Sequence, residues 1–187
     1  MNKRFSGKTV VVTGGAAGLL DINEAGLAET KALIDDLGAT ASIHRVDMAD
    51  EQQIIDFGKA ILADHDSIDV LINNAGLHMG EIARGFSEMG LAKWQHFFTV
   101  NSFAPLLLAE AIRPALAKAK GIIINKSSMA SYNPATAYGI TKATLNIFTH
   151  AMATQFAADE IRCVAIAPGL METEAAQQGV DPENWEK

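Results

Sequence analysis

Five short apolar runs, separated by stretches of helical periodicity, constrain this chain more than any other feature. They cover residues 8–13, 41–46, 68–73, 121–125 and 161–167. Near-continuous Val, Ile and Leu, rather than alternation with polar residues, is the pattern of parallel strands buried on both faces under helices. The segments between them supply the helices. Residues 24–37 carry apolar side chains at Leu27, Leu33, Ile34 and Leu37, with Asn23 placed to cap the start and Gly38 to end it. Residues 50–63 repeat the logic, with Asp50 as cap, Gln53 at the capping-box position and Ile54, Phe57, Ile61 and Leu62 on the inner side.

Residues 91–119 are helical in pattern, and Pro105 and Pro114 predict kinks or boundaries within them. In residues 138–156 the apolar positions Ile147, Phe148, Met152 and Phe156 spread too widely for one stripe, which predicts a second covering partner. Strands alternating with helices predict one α/β domain over residues 1–187. Its sheet should be doubly wound and mostly parallel, Rossmann-like, with helices on both faces and ligands at the carboxyl ends of the strands.

Charge and composition narrow the partners. A net charge of −7 opposes binding to a polyanion, so no nucleic acid is expected. No apolar stretch approaches the roughly 18 residues of a membrane span, and Lys3-Arg4 precedes only a short apolar run, so no membrane association and a cytoplasmic location are expected. Cys163 is the only cysteine and reads as an inert buried thiol. The five histidines show no ligand spacing, and no metal site is expected.

The first run leads into Thr13-Gly14-Gly15-Ala16-Ala17-Gly18, where positions without side chains let backbone approach a pyrophosphate. A plain turn would look the same. Asn73-Asn74-Ala75-Gly76 closes the third run with small residues that admit a dinucleotide, or again only turn the chain. Asn101 stands inside a helical segment, where its amide must be satisfied, and marks a kink or a water relay. Ser127-Ser128 ends a strand, and Tyr138 and Lys142 follow four residues apart, on one face of a helix. An ammonium beside a phenol favours the phenolate, drawing the tyrosine from about 10 towards neutrality, where it exchanges protons with an alcohol or ketone oxygen.

Taken in order, TGGAAG at 13–18, VDM at 46–48, NNAG at 73–76, VN at 100–101, SSMAS at 127–131, YGITK at 138–142 and PGLMET at 168–173 resemble the classical short-chain dehydrogenase/reductase family. The resemblance implies a nicotinamide-dependent oxidoreductase that interconverts a secondary alcohol and a ketone. It implies Asn101, Ser128, Tyr138 and Lys142 as a catalytic tetrad, with Tyr138 as acid and base, Ser128 polarising the substrate oxygen, Lys142 lowering the tyrosine pKa and holding the nicotinamide ribose, and Asn101 anchoring a relay water. Gly14, Gly18, Leu19, Asp47, Met48, Asn74, Ala75, Gly76, Pro168, Gly169 and Thr173 would complete the cofactor site with Tyr138 and Lys142. Asp21 looks like the acidic residue that pairs with ribose hydroxyls and repels a 2′-phosphate, which favours NAD over NADP. His78, Met79, Met171 and Glu172 stand next to these motifs, where they would line a substrate pocket or simply turn.

The pattern breaks in three places. Gly18-Leu19-Leu20-Asp21 runs directly from the glycine motif to the acidic residue, where the family has a helix and a second strand. Either residues are missing from this sequence, or they are deleted and residues 24–37 serve as the first crossover; the expected sheet lacks its second strand. The segment from the serines to Tyr138 is short, which leaves Ser127 and Ser128 both open. After Lys187 the family continues into a substrate-covering segment and a last strand.

A second reading follows from the broken glycine motif: a relic that keeps the fold, binds no cofactor and acts at most as an oligomer partner. A methyltransferase on a similar sheet leaves Tyr138-x-x-x-Lys142 unexplained. The apolar surface of residues 91–119 and 138–156 exceeds what one sheet face covers, so a homo-oligomer, dimer or tetramer, is expected.

Overall fold

A computed structural model describes residues 5–14, 20–77 and 89–169. Six parallel strands form one sheet: β1 (Val10–Thr13), β2 (Leu20–Asp21), β3 (His44–Arg45), β4 (Val70–Asn73), β5 (Ile122–Lys126) and β6 (Arg162–Ile166), in the order β3-β2-β1-β4-β5-β6. The chain order reverses between β1 and β4, which places the ligand crevice of such a sheet at their carboxyl ends.

The expected missing second strand is corrected. Two of its residues remain, with Leu20 in register with Thr13 on one side and with His44 on the other. Parallel neighbours usually need a crossover of a dozen or more residues because the chain must return the length of a strand. Here β2 begins level with the end of β1, so almost no return is needed. The Gly14 N–H donates to the Leu20 carbonyl at 2.8 Å and ties the end of β1 to β2. Helix α1 (Glu24–Asp36) therefore joins β2 to β3 and is not the first crossover.

Shortening β2 also shortens its neighbour. The apolar run 41–46 yields a strand only at His44–Arg45, since Leu20 and Asp21 are the only β2 residues to pair with. β4 and β5 pair over four residues and β5 and β6 over five, and these strands form nearly as their sequences predict.

The helix ends follow local chemistry. Asn23 accepts the Gly26 N–H at 3.2 Å to start α1. At the other end Gly38 takes φ +77°, while the N–H groups of Gly38 and Ala39 reach back to the carbonyls of Asp35 and Ile34. A residue with a Cβ resists that left-handed turn. Asp50 caps α2 (Glu51–Asp64) by accepting from Gln52 and Gln53 N–H groups, and the Gln53 amide donates back to its carboxylate. Those bonds hold the Asp50 carboxyl below its ordinary pKa.

Residues 91–119 divide into α3 (Leu91–Phe98), a π-helical segment Thr99–Phe103, α4 (Ala104–Ala111) and α5 (Arg113–Ala119), with a proline in the first turn of α4 and of α5. Helix α6 (Ala137–Gln155) follows, capped by the Thr136 hydroxyl on the Gly139 N–H. The main core joins α2, α4, α5 and α6 to one sheet face through Val11, Leu71, Ile123, Ile54, Phe57, Leu108, Leu116 and Met152.

Right-handed crossovers put α1 on the opposite face, since β2 to β3 runs the other way along the sheet. The expectation of strands buried on both faces thus holds on one. On the other, among the described residues, Val164 and Ile166 remain 42% and 48% exposed.

Candidate active site

Every described residue expected at a cofactor or catalytic site lies near the carboxyl edge of the sheet, and its local reason for being there can be traced. Gly14 leaves β1 at φ +85°, and a Cβ there would sit 2.1 Å from the Ala75 Cα. Only glycine fits. Gly14→Ala should therefore lower the unfolding free energy by about 3 kcal/mol or more, from left-handed strain plus overlap. A denaturant midpoint equal to wild type would show that the turn does not press on Ala75.

The Thr13 hydroxyl accepts the N–H groups of Asn74 and Ala75 at 3.1 and 3.0 Å, and the Asn74 amide donates to the Thr13 and Gly14 carbonyls. Asn74 thus ties the two turns that flank the switch point. Gly76 is confined in a different way: a Cβ there would lie 3.2 Å from both Asn101 Oδ1 and Lys142 Nζ.

Asp21 stands at the carboxyl end of β2 beside the glycine turn, where its carboxylate accepts the Asn23 N–H at 2.9 Å. Asp21 therefore stands at a strand end, as the resemblance implies for the acidic residue. Asp47 accepts the Ala49 N–H at 2.8 Å, whereas Met48 is packed into the main core. Pro168 accepts the Met129 N–H through its carbonyl, and Gly169 lies against Met129, which ties the end of β6 to the Ser128 turn. Gly18, Leu19 and Thr173, with His78, Met79, Met171 and Glu172, lie outside the described residues.

Asn101 is fully buried in the π-helical segment, where one wider turn pushes the chain outward. Its Oδ1 accepts the Leu77 N–H at 2.8 Å, and its amide donates to the Leu77 carbonyl and the Thr141 hydroxyl. The side chain is a clamp between the NNAG turn and α6.

The two serines part ways because successive residues of extended chain point to opposite sides. Ser127 is buried and donates to the Lys142 carbonyl at 3.3 Å, while Ser128 accepts the Ala130 N–H on its hydroxyl at 3.2 Å and lies on the side of Tyr138. Burial raises the Tyr138 pKa above its ordinary value and outweighs Ser128, which favours the phenolate. The expected pull towards neutrality is absent from this structure.

Lys142 is 3% exposed and its ammonium, 5.7 Å from the Tyr138 ring centre, donates to the Lys126 carbonyl at 2.8 Å. Burial first, and the charge of Lys126 second, bring its pKa down to about 8. The position of the Tyr138 pKa is set by burial and by Ser128, with the Lys142 ammonium 5.7 Å from the ring centre.

Several supporting residues gave no sequence signal. Thr141 takes the Asn101 amide on its hydroxyl and returns its own proton to the Tyr138 carbonyl at 2.9 Å. Deeper down, Asn73 donates to Asn125 and Asn125 to the Thr149 hydroxyl, each at 2.8 Å, which fastens β4, β5 and α6 below the site. A small polar residue on the inner face of a helix was the only available hint.

With a nicotinamide cofactor in view, the residues present fit its nicotinamide half. Gly76 leaves the space a side chain would fill, and Lys142 keeps two ammonium protons beyond the one given to Lys126. No group of three or more His, Cys, Asp or Glu able to hold a metal ion occurs among the described residues.

Comparison with known proteins agrees with this fold. The family model described as short chain dehydrogenase matches residues 8–184. A probable short-chain type dehydrogenase/reductase of Bradyrhizobium diazoefficiens is 30% identical, over 91% of this chain and 69% of its own. Among solved structures, a 7α-hydroxysteroid dehydrogenase complexed with NADH and 7-oxo glycochenodeoxycholic acid superposes with a TM-score of 0.85 at 27% identity, covering 96% of this chain and 77% of that one. A metagenomic short-chain oxidoreductase in complex with NADP superposes at 0.78 and 30% identity, covering 91% and 86%.

Proposed function

The chain belongs to the short-chain dehydrogenase family, and on that premise we propose that it interconverts a secondary alcohol and a ketone by hydride transfer, with Tyr138 as acid and base. Its relatives are NAD(P)-dependent dehydrogenases acting on CH–OH groups. The observation that carries the reading is Tyr138 beside the buried Lys142, whose ammonium lies 5.7 Å from its ring centre, at the carboxyl edge next to the switch point. A bound nicotinamide supplies the hydride in reduction and accepts it in oxidation.

In reduction, the Tyr138 hydroxyl delivers its proton to the substrate oxygen, and the Ser128 hydroxyl donates a hydrogen bond to the same oxygen. Lys142 holds the ribose through its remaining ammonium protons and stabilises the phenolate left behind. Asn101 acts as a positioning residue through Leu77 and Thr141. Asp47 and Asn74 to Gly76 line the cofactor, with Pro168 and Gly169 at its nicotinamide end.

Relatives bind NAD or NADP. Asp21 supports NAD, because its carboxylate would accept ribose hydroxyls and oppose a 2′-phosphate. Calorimetric titration should show NADH bound more tightly than NADPH, and Asp21→Ala should weaken NADH about 10- to 100-fold, the worth of a hydrogen bond to a charged group. Equal affinity for both cofactors in wild type would remove the assignment of Asp21.

One observation favours the rival reading of a cofactor-free relic: only residues 15–19 separate Gly14 from Leu20, below the roughly 10 to 12 of a helical crossover. The same titration separates the two, since a relic would bind neither dinucleotide.

A homo-oligomer is supported by aromatic rings that continue to the surface, Phe98 on Phe103 and Phe103 on Phe148 at 5.9 Å each, with Phe103 and Ile147 43% and 68% exposed. A cytoplasmic setting accords with the absence, among the described residues, of any helix long and apolar enough to cross a membrane.

A further inference from the structure

Burial alternates along the strands, and the direction of the crossovers explains why. Val11 of β1, Leu71 of β4 and Ile123 of β5 point to the face that carries α2, α4, α5 and α6, and each is 3% exposed or less. Their neighbours Val10, Val12, Ile72, Ile122 and Ile124 point the other way and are only partly buried, and on β6 Val164 and Ile166 are nearly half exposed. Among the described helices only α1 belongs to this second face, because β2 to β3 runs along the sheet opposite to the later crossovers. It sits over β2, at one side. The face of β1, β4, β5 and β6 is thus a contiguous surface of Val and Ile, which a folded chain rarely leaves to water.

The flank of α1 shows the same opening. In a right-handed helix antiparallel to the strands, Leu33 and Leu37 continue the stripe of Gly26 and Thr30 on the side that looks towards β1, while Leu27 turns the other way, to the sheet. Leu27 is 1% exposed, yet Leu33 and Leu37 are 61% and 69% exposed.

We propose that two copies of this chain pack these faces together, sheet on sheet about a two-fold axis parallel to the strands, with Leu33 and Leu37 of each copy closing on β6 of the other. The shape is self-complementary. Each copy offers a sheet bounded by α1 on one side and by the terminal strand β6 on the other, and the axis sets helix against strand edge twice. The charges agree. Asp36 ends α1 and Arg162 begins β6, so both stand at the amino edge of the sheet, exposed and, among the described residues, without an ion pair. An axis parallel to the strands keeps each at that edge and brings Asp36 of one copy to Arg162 of the other. Residues 170–187 of the same chain suit the face less well, since they hold five carboxylates and one lysine. This interface is independent of the oxidoreductase reading and lies on the opposite face from Phe103 and Phe148.

Sedimentation of the full chain over a range of concentrations tests it. Wild type should associate at micromolar concentration. Val164→Glu would bury a carboxylate between the sheets and should weaken that association by about 100-fold or more, with the circular dichroism unchanged. Asp36→Arg, on the surface of the single copy, should weaken it by about tenfold through facing like charges, and the double variant Asp36→Arg with Arg162→Asp should restore it. A wild type that stays monomeric at submillimolar concentration overturns the proposal, as does wild-type association in Val164→Glu, which would place the contact on another face. A double variant that associates more weakly than Asp36→Arg alone overturns it as well, and this comparison decides by itself if Val164→Glu does not fold.

Discussion

Tyr138→Phe should reduce turnover with any ketone substrate by about 10²- to 10⁴-fold, the usual contribution of a positioned acid or base. The fold should survive, because the ring keeps its place in the small cluster with Phe97 and Ala137. Cofactor affinity should change little, so the loss belongs to the chemical step. The wild-type pH profile gives a second check on the same centre. Burial keeps Tyr138 protonated through neutral pH, ready to act as the acid, and Lys142 carries its charge only below about 8. Since kcat/KM reports the free enzyme, ketone reduction should be level at neutral pH and fall as pH rises through about 8. Unchanged turnover in Tyr138→Phe would end the assignment, and a profile flat to pH 10 would remove the role of the ammonium.

How much of this was legible beforehand depended on what each feature draws upon. Strands β4, β5 and β6 were visible as apolar runs because each meets full-length neighbours, so pattern and pairing agree. Leu20–Asp21 has too few residues to show any period, and only its register between Thr13 and His44 reveals a strand. The contraction of 41–46 follows from that neighbour and not from its own composition. Helical spacing brought Tyr138 and Lys142 to one face, but spacing says nothing about depth, and depth set both pKa values. Ser127 and Ser128 were equivalent as sequence; alternation of side chains in the fold separated them. Thr13, Thr141 and Asn125 act through other residues 24 or more positions away, a relation that no local pattern carries.

The depth of Lys142 leads to a prediction about stability. An ordinary lysine titrates at 10.5 and this one at about 8, with burial as the chief cause. At 1.36 kcal/mol per unit, holding the ammonium inside the fold costs about 3 kcal/mol at neutral pH. Lys142→Met keeps a long unbranched stem and removes the charge. It should therefore raise the unfolding free energy at pH 7 by about 3 kcal/mol, less whatever the bond to the Lys126 carbonyl contributes. The sign can be followed through the titration. Between pH 8 and 10.5 the unfolded chain holds a proton that the folded chain has released, so wild-type stability rises with pH across that window. Below it both states are protonated and the penalty is complete; above it both are neutral and the penalty is gone. The advantage of Lys142→Met in denaturant titrations should accordingly be greatest at pH 7 and fade by pH 10.5, while other titrating groups cancel in the comparison. A variant as stable as wild type at both pH values would mean that the ammonium is better solvated than its 3% exposure implies. Turnover, by contrast, should be lost in Lys142→Met at every pH. A side chain that destabilises the fold when charged and cannot be replaced without loss of the reaction is retained for chemistry, and this pair of measurements separates that situation from a lysine that merely fills space.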